Sequence, residues 1–473
     1  MQNGRNRPNI LLITTDQQRF DTIAAWGNRS IHTPHLNWLV DDGISFTRCY
    51  ADCPICMPSR ATIMTGLAGY TLGLTGNDDR LRPLAQHPTL PGLLTEAGYQ
   101  THAQGKMHFA PIRAHYGFEE MELPLDYFRE KARYGRTASK QSGVGENEVE
   151  PVISAAAETD TITWWTVDRS IDFLESRDDT RPFFLWTSFG KPHPPYECCA
   201  NYWSLYEHAD LPEPAKGDWA APAGFLESTW SLNAVWRMSP EQLAASRRAY
   251  YACITQIDYN LGRLFARLRE MNLLETTLIV FTSDHGDMLG DHGMGAKSSF
   301  FEGSAHVPMI VRPAAASWNR HPLAGTQCDA LVTLADVMPT LLQFADVPLP
   351  KTDGRDLLGL ADAPQERPFF GLCSHMAAVM ADGYKYSWSA QGGGEVLFHL
   401  AEDPKEQHNL ANDEAHGAVK ARLQAQLVDF MRQHRPDYVE DGQLTPSGKT
   451  PTANSTNRWP GLHSNFFPTD VLH

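Results

Sequence analysis

The chain has 473 residues, 42% of them hydrophobic and 20% charged, with a formal net charge of −16. That length exceeds what one hydrophobic core serves, so a large domain and a smaller one are expected in an otherwise ordinary globular composition. The negative charge argues against nucleic acid and an anionic membrane as principal partners, and eight cysteines are too few for a disulfide scaffold.

The N-terminal segment has a basic start but no long apolar core, and nowhere do roughly 18 apolar residues run together. A cytoplasmic protein is expected, or a periplasmic one if an export signal has been removed. The first apolar run, Asn9–Thr14, is short, β-rich and bounded by polar residues, which predicts a buried strand of a parallel sheet. Pro34–Asp42 reads as a helix stopped by Gly43, and Ile44–Thr47 as a short strand. Pro58 sets the start of a helix at Ser59, ended by Gly66. Thr89–Ala97 predicts a helix and Tyr99–Gln104 the strand after it. Pro182–Phe189 and Thr277–Thr282 are two more strongly apolar strands, the second preceded by helical periodicity over Ser239–Leu274. Val307–Val311 predicts a further strand and Leu334–Phe344 a helix. This alternation implies an α/β fold with a large, mostly parallel central sheet flanked by helices.

The character changes after Asp353. Arg367–Leu372, Ala377–Ala381, Tyr384–Ser389 and Glu395–Leu400 are short strand-like runs separated by turn residues, which predicts a small antiparallel sheet, and Ala415–Gln433 reads as an amphipathic helix. The expected division is a catalytic domain over 1–355, a smaller antiparallel-sheet subdomain over 356–435 and a C-terminal arm over 436–473. The arm is rich in Pro, Asn, Ser and Thr yet keeps Trp459 and Phe466–Phe467, so it is expected to pack on its own domain or on a second copy in a homo-oligomer.

The apolar strands share one feature: a polar cluster follows each. Asp16-Gln17-Gln18-Arg19, Gly105-Lys106-Met107-His108, Lys191-Pro192-His193 and Ser283-Asp284-His285-Gly286-Asp287 each stand just past a different strand, with Lys297 a little later. The carboxyl ends of parallel strands lie along one edge, so the clusters should converge there. A single Asp or Lys of this kind is usually turn chemistry or a solvated charge. Repetition at four strand ends changes that reading. Carboxylates beside Gln and His offer ligands to a divalent cation, and the nearby Arg and Lys offer an oxyanion site.

Cys49-Tyr-Ala-Asp-Cys53-Pro-Ile-Cys56-Met-Pro-Ser-Arg60 admits three readings. Cys49, Cys53 and Cys56 have a spacing that suits three ligands of an iron–sulfur cluster, as in a radical enzyme. Cys53 and Cys56 alone form a C-x-x-C pair, a redox disulfide or half a zinc site, although Cys198-Cys199 lacks the spacing of the other half. Or Cys56 matters for the residues that follow it.

Cys56-Met57-Pro58-Ser59-Arg60, followed by Ala61-Thr-Ile-Met-Thr-Gly66, resembles the signature of the formylglycine-dependent sulfatases of the alkaline phosphatase superfamily. The likeness extends in order through Asn9–Asp16, Gly105–His108, Lys191–His193, Ser283–Gly286, Lys297 and Val396–Asn409. It implies an alkaline-phosphatase-like fold and hydrolysis of an aryl, alkyl or sugar sulfate. It also implies that a separate formylglycine-generating enzyme oxidises Cys56 to formylglycine on the unfolded chain. By the same resemblance Asp16, Gln17, Asp284, His285 and residue 56 would hold one divalent cation, Ca2+ first and Mn2+ as the alternative. Arg60, Lys106 and Lys297 would bind the sulfuryl charge, His193 would protonate the leaving oxygen and His108 would deprotonate the second hydroxyl. Asn77 and Lys191 would line the substrate pocket. Two departures stand out. Gln17 and His285 replace the commoner Asp and Asn and bring the site closer to phosphonate monoester hydrolases and choline sulfatases, whereas Lys106 follows the sulfatase pattern.

Overall fold

A computed structural model of the chain describes residues 7–77, 83–139, 147, 149–219, 238–314 and 323–447. In chain order the strands are β1 (Asn9–Asp16), β2 (Ile44–Tyr50), β3 (Gln100–Gly105), β4 (Glu120–Glu122), β5 (Pro151–Ile153), β6 (Phe183–Pro192), β7 (Tyr196–Cys198), β8 (Thr277–Ser283), β9 (His306–Val307), β10 (Met309–Arg312) and β11 (Thr326–Thr333). Among the described residues the central sheet has the order β11-β2-β10-β8-β1-β6-β3-β4, with β9 on β2, while β5 and β7 pair separately. The pairs of β1 with β6 and β8, of β3 with β4 and β6, and of β2 with β11 are parallel. Val307–Val311 is a correction: two short strands stand there, β10 running antiparallel to β8 and β2.

The apolar strands read as continuous runs because both their faces are covered. Ile10 and Leu12 point into a core shared with Phe184, Trp186, Leu278 and Val280, and Leu11 and Ile13 into one shared with Phe183, Leu185, Ile279 and Phe281. Helices Cys56–Thr65 and Val337–Phe344 supply the first core, and Pro34–Asp42, Ile162–Ser176 and Pro240–Glu270 the second.

The C-terminal sheet is an antiparallel meander of β12 (Phe369–Cys373), β13 (Met376–Ala381), β14 (Tyr384–Ser389) and β15 (Glu395–His399), with helix Gly417–His434 packed on it. The predicted arm is described only to Ser447, through a short hairpin at Val439–Leu444, and its aromatic end lies outside the described residues. No described helix is long and apolar enough to cross a membrane.

The helix expected from Ser59 begins at Cys56. Pro58 is therefore the third helical residue, not a marker of the first. That position suits it, because N–H groups of the first turn have no carbonyl four residues back to reach.

Candidate active site

β1 and β8 are adjacent and parallel, so the residues that leave their carboxyl ends meet. Asp16 closes β1, and the chain turns through Gln17 at φ 71°. Asp284 and His285 leave β8 beside it, the Gln17 amide donating to Asp284 Oδ1 at 3.0 Å. Helix Cys56–Thr65 brings Cys56 to the same point. Its Sγ lies 3.2 Å from His285 Nε2 and 3.9 Å from Asp16 Oδ1, and His285 Nε2 is 3.8 Å and 3.6 Å from Asp16 and Asp284. One ligand atom from each of Asp16, Cys56, Asp284 and His285 lies within 4.8 Å of the others. His285 Nδ1 pairs with the Gly286 carbonyl at 3.0 Å as its donor, which leaves the Nε2 lone pair facing this ring.

Cationic groups enclose the ring. Arg60, one turn beyond Cys56 and 1% exposed, donates to Asp284 Oδ2 at 2.9 Å, Asp16 Oδ2 at 3.3 Å and Ser188 Oγ at 2.8 Å. Its guanidinium also caps the carbonyl of Lys106, whose own ammonium pairs with Asp16. This meeting depends on Gly105, at φ 93°, where a Cβ would stand 2.1 Å from the Ser188 carbonyl oxygen. Lys297 Nζ donates to Gln17 Oε1 at 2.5 Å and to His193 Nε2 at 2.9 Å. The other His193 nitrogen, Nδ1, faces the Pro194 carbonyl at 2.8 Å and carries the ring proton.

Protonation follows from these contacts. Burial opposes ionisation of Asp16, but Lys106 and Arg60 outweigh it and hold the carboxyl well below the usual carboxylate range. Burial and Asp16 push the Cys56 thiol up, and Lys106, Lys297 and His285 prevail, leaving it well below an ordinary thiol. Burial, Lys297 and Lys106 together hold His193 well below an ordinary imidazole, so it is neutral. Burial lowers His285, yet Asp284 and Cys56 raise it overall.

The structure brings Asp16, Gln17, Cys56, Arg60, Lys106, His193, Asp284, His285 and Lys297 into this one site. Gln17 stands beside the ring, its amide held by Lys297 and, through Nε2 at 2.6 Å, by Asp287. Three expected members stand apart. Asn77 Oδ1 accepts from the Met57 amide at 3.0 Å and so caps the helix of Cys56. Lys191 donates to the Pro195 carbonyl and braces its own turn. His108 lines a small cavity with Met57, Ala61, Leu84, Phe109, Ala110 and Tyr116, on another face of the Cys56 helix. Arg19 is structural, paired with Asp21 and Asp291. Cys49 and Cys53 fall in two different apolar cores, all three cysteines are free, and only Cys56 joins the group of Asp16, Asp284 and His285, so among the described residues neither the three-cysteine cluster nor the C-x-x-C reading is met. Sequence reasoning overlooked Ser188, which bonds Arg60 and Thr14, and gave Asp287 no role of its own, although it takes both Gln17 and the Tyr196 hydroxyl. Ser188 stood in the signal all along, in the apolar strand ahead of Lys191.

A sulfatase family model matches residues 8–347, and one for the C-terminal region of N-sulphoglucosamine sulphohydrolase matches residues 290–433. The chain is 32% identical to an arylsulfatase of Clostridium perfringens, covering 93% of this chain and 97% of that protein. The chain belongs to the sulfatase family. As such it is a sulfuric ester hydrolase. This sulfatase is also 29% identical to a choline-sulfatase of Rhizobium meliloti over 89% of its own length and 85% of that protein. Among solved structures it resembles the phosphonate monoester hydrolase of Agrobacterium radiobacter, with 27% identity, a TM-score of 0.76 and coverage of 94% of this chain and 100% of that one.

Proposed function

We propose that this sulfatase cleaves a sulfate monoester to an alcohol and sulfate, using residue 56 in its formylglycine form and one divalent cation. The observation that carries the reading is the approach of Cys56 Sγ to His285 Nε2, at 3.2 Å, inside a ring of two carboxylates enclosed by Arg60, Lys106 and Lys297. Cys56 is 1% exposed, which supports conversion by a formylglycine-generating enzyme before the chain folds.

Two carboxylates, one imidazole and an oxygen from residue 56 fit a hard or borderline divalent ion such as Ca2+ or Mn2+. Asp16, Asp284, His285 and residue 56 would hold it, with Gln17 adjacent, and it would polarise the sulfuryl oxygens and favour an ionised nucleophile. The hydrated aldehyde would supply an attacking hydroxyl and a second one through which sulfate departs.

The remaining work falls to side chains already in place. Arg60 holds Asp16 and Asp284 in register, so its action on substrate runs through them. Lys106 and Lys297 neutralise the sulfuryl oxygens. The proton for the leaving oxygen rests on Lys297, because neutral His193 accepts from it through Nε2 and is oriented by the Pro194 carbonyl. The leaving group meets the segments after β3 and β7, which carry helix Pro124–Arg133 and several aromatic side chains.

A phosphonate monoester or phosphodiester hydrolase is the second reading, favoured by the Gln17/His285 pair and by the likeness to a hydrolase of that kind. Values of kcat/KM on a sulfate monoester, a phosphonate monoester and a phosphodiester sharing one leaving group decide between them. The sulfate ester is expected to lead by about tenfold or more. A lead for either phosphorus ester would assign the site to the second reading.

A further inference from the structure

Lys297 reaches the site on the segment 296–305, ahead of β9. One side of that segment is stitched to the catalytic parts. The Met288 amide donates to the Ala296 carbonyl at 2.6 Å, and Gly286, next to His285, donates to Ser304 at 2.7 Å. Ser298 donates to the Pro54 carbonyl at 3.2 Å, and the Ala51 amide donates to Ala305 at 2.9 Å, which ties the segment to the strap leading to Cys56. Gly286 has no slack against it, since a Cβ there would stand 2.1 Å from the Gly303 carbonyl oxygen.

The other side is held by the C-terminal sheet. Lys385, the second residue of β14 and 1% exposed, sends its ammonium to the Phe300 carbonyl at 2.8 Å, to Glu302 Oε1 at 2.6 Å and to Glu406 Oε1 at 2.7 Å. Glu406, in the turn after β15, accepts the Glu302 amide through Oε2 at 2.8 Å. The Phe300 and Glu302 contacts are hydrogen bonds, and the Glu406 contact is an ion pair. Glu302 is engaged in turn by the Tyr50 hydroxyl at 3.0 Å and by His306 Nδ1 at 2.6 Å, and the His306 ring stacks on Phe20, next after the Asp16–Arg19 turn, at 3.8 Å. Apolar packing alone tolerates sliding of a short segment, whereas a buried ammonium held by two hydrogen bonds and an ion pair sets one register.

We infer that Lys385 and Glu406 are positioning residues for Lys297, so that the C-terminal sheet sets the geometry of a catalytic cation it does not itself carry. The inference rests on the sulfatase reading above. It acts through placement, and a displacement of about 1 Å can cost about 100-fold in rate.

A double-mutant cycle on the formylglycine-containing enzyme tests it, with an activated aryl sulfate and rates normalised to formylglycine content. Glu406→Gln is expected to lower kcat about tenfold with KM nearly unchanged. In a Lys297→Ala background the same substitution should cost less than about twofold, because its effect has already been removed. Lys385→Arg, run in the same cycle, should lose less than Lys385→Met and serves if Glu406→Gln does not fold. An equal loss in both backgrounds, or wild-type kcat in Glu406→Gln, would mean a purely structural brace and overturn the inference while leaving the sulfatase reading intact. Absence of turnover by the wild type would overturn both.

Discussion

Arg60 touches both carboxylates of the ring, and its side chain is 1% exposed against 0% for each of theirs. Two anionic groups buried this deeply require a partner with fixed donor directions, and a planar guanidinium supplies Nε and both terminal nitrogens at once. Lysine offers a point charge in its place. Arg60→Lys should therefore fold but lose about 100-fold in kcat, the scale of a misplaced catalytic group. Arg60→Ala removes the guanidinium partner of Asp284 and one of the two cationic partners of Asp16, and should cost about 3–5 kcal/mol of stability in metal-free protein. Steady-state kinetics and urea unfolding in the presence of a chelator check the two. A Lys variant with wild-type kcat would remove Arg60 from the site's geometry. His193 illustrates a role that residue type alone does not fix. An imidazole past a strand end suggests a proton donor, but Nδ1 on a backbone carbonyl and Nε2 on Lys297 make it an acceptor.

At the scale of elements, helix ends decide where side chains point, and their caps come from distant sequence. Helix Cys56–Thr65 has no side-chain cap of its own at Ile55, and Asn77 fills that place. Helix Pro34–Asp42 is likewise uncapped by Thr33. Its His35 and Leu36 amides donate instead to Asp258 of helix Pro240–Glu270, at 3.1 Å and 2.7 Å. Burial, opposed by those two N–H groups, pushes the Asp258 carboxyl from 3.8 up to about 7. The folded state thus binds this proton more tightly than the unfolded one. Its contribution to stability is complete below the unfolded pKa and is lost as pH rises toward the folded value. Compared with Asp258→Asn, which forfeits about 1 kcal/mol of hydrogen bonding at any pH, the wild type should gain stability between about pH 7.5 and about pH 5. Urea midpoints at both pH values measure this, and a difference that does not change with pH would contradict it.

Local pattern served well where a segment is covered on both faces. Tyr384–Ser389 stands where periodicity and turn residues put it. It failed where burial is one-sided or context decides. β11 has exposed Thr326, Gln327 and Asp329 at the sheet edge and carries too little apolar signal to read as a strand. Helix Ile162–Ser176 opens on Thr and two Trp residues, of low helical preference, and is held by its Thr161 cap and by packing on β6. In the site, strand ends were legible because parallel sheets collect them on one edge. Asn77, Lys191 and His108 were not, because their partners, a helix amide, a turn carbonyl and a small cavity, arise only once the chain has folded.

For the molecule as a whole, charge is distributed against its sum. The chain carries −16 overall, yet Arg60, Lys106 and Lys297 gather around one buried point, so an anion is attracted locally by a protein that repels it at long range. The two sheets share that point, the large one through its strand ends and the small one through Lys385 and Glu406. What unites these features is residue 56, whose thiol occupies the position from which a nucleophile would act. Turnover of an aryl sulfate, measured across preparations with different fractions of residue 56 converted to formylglycine, tests this most directly. The rate should rise in proportion to the converted fraction along a line through the origin. Sulfate release by protein that retains Cys56 wholly as cysteine would contradict it.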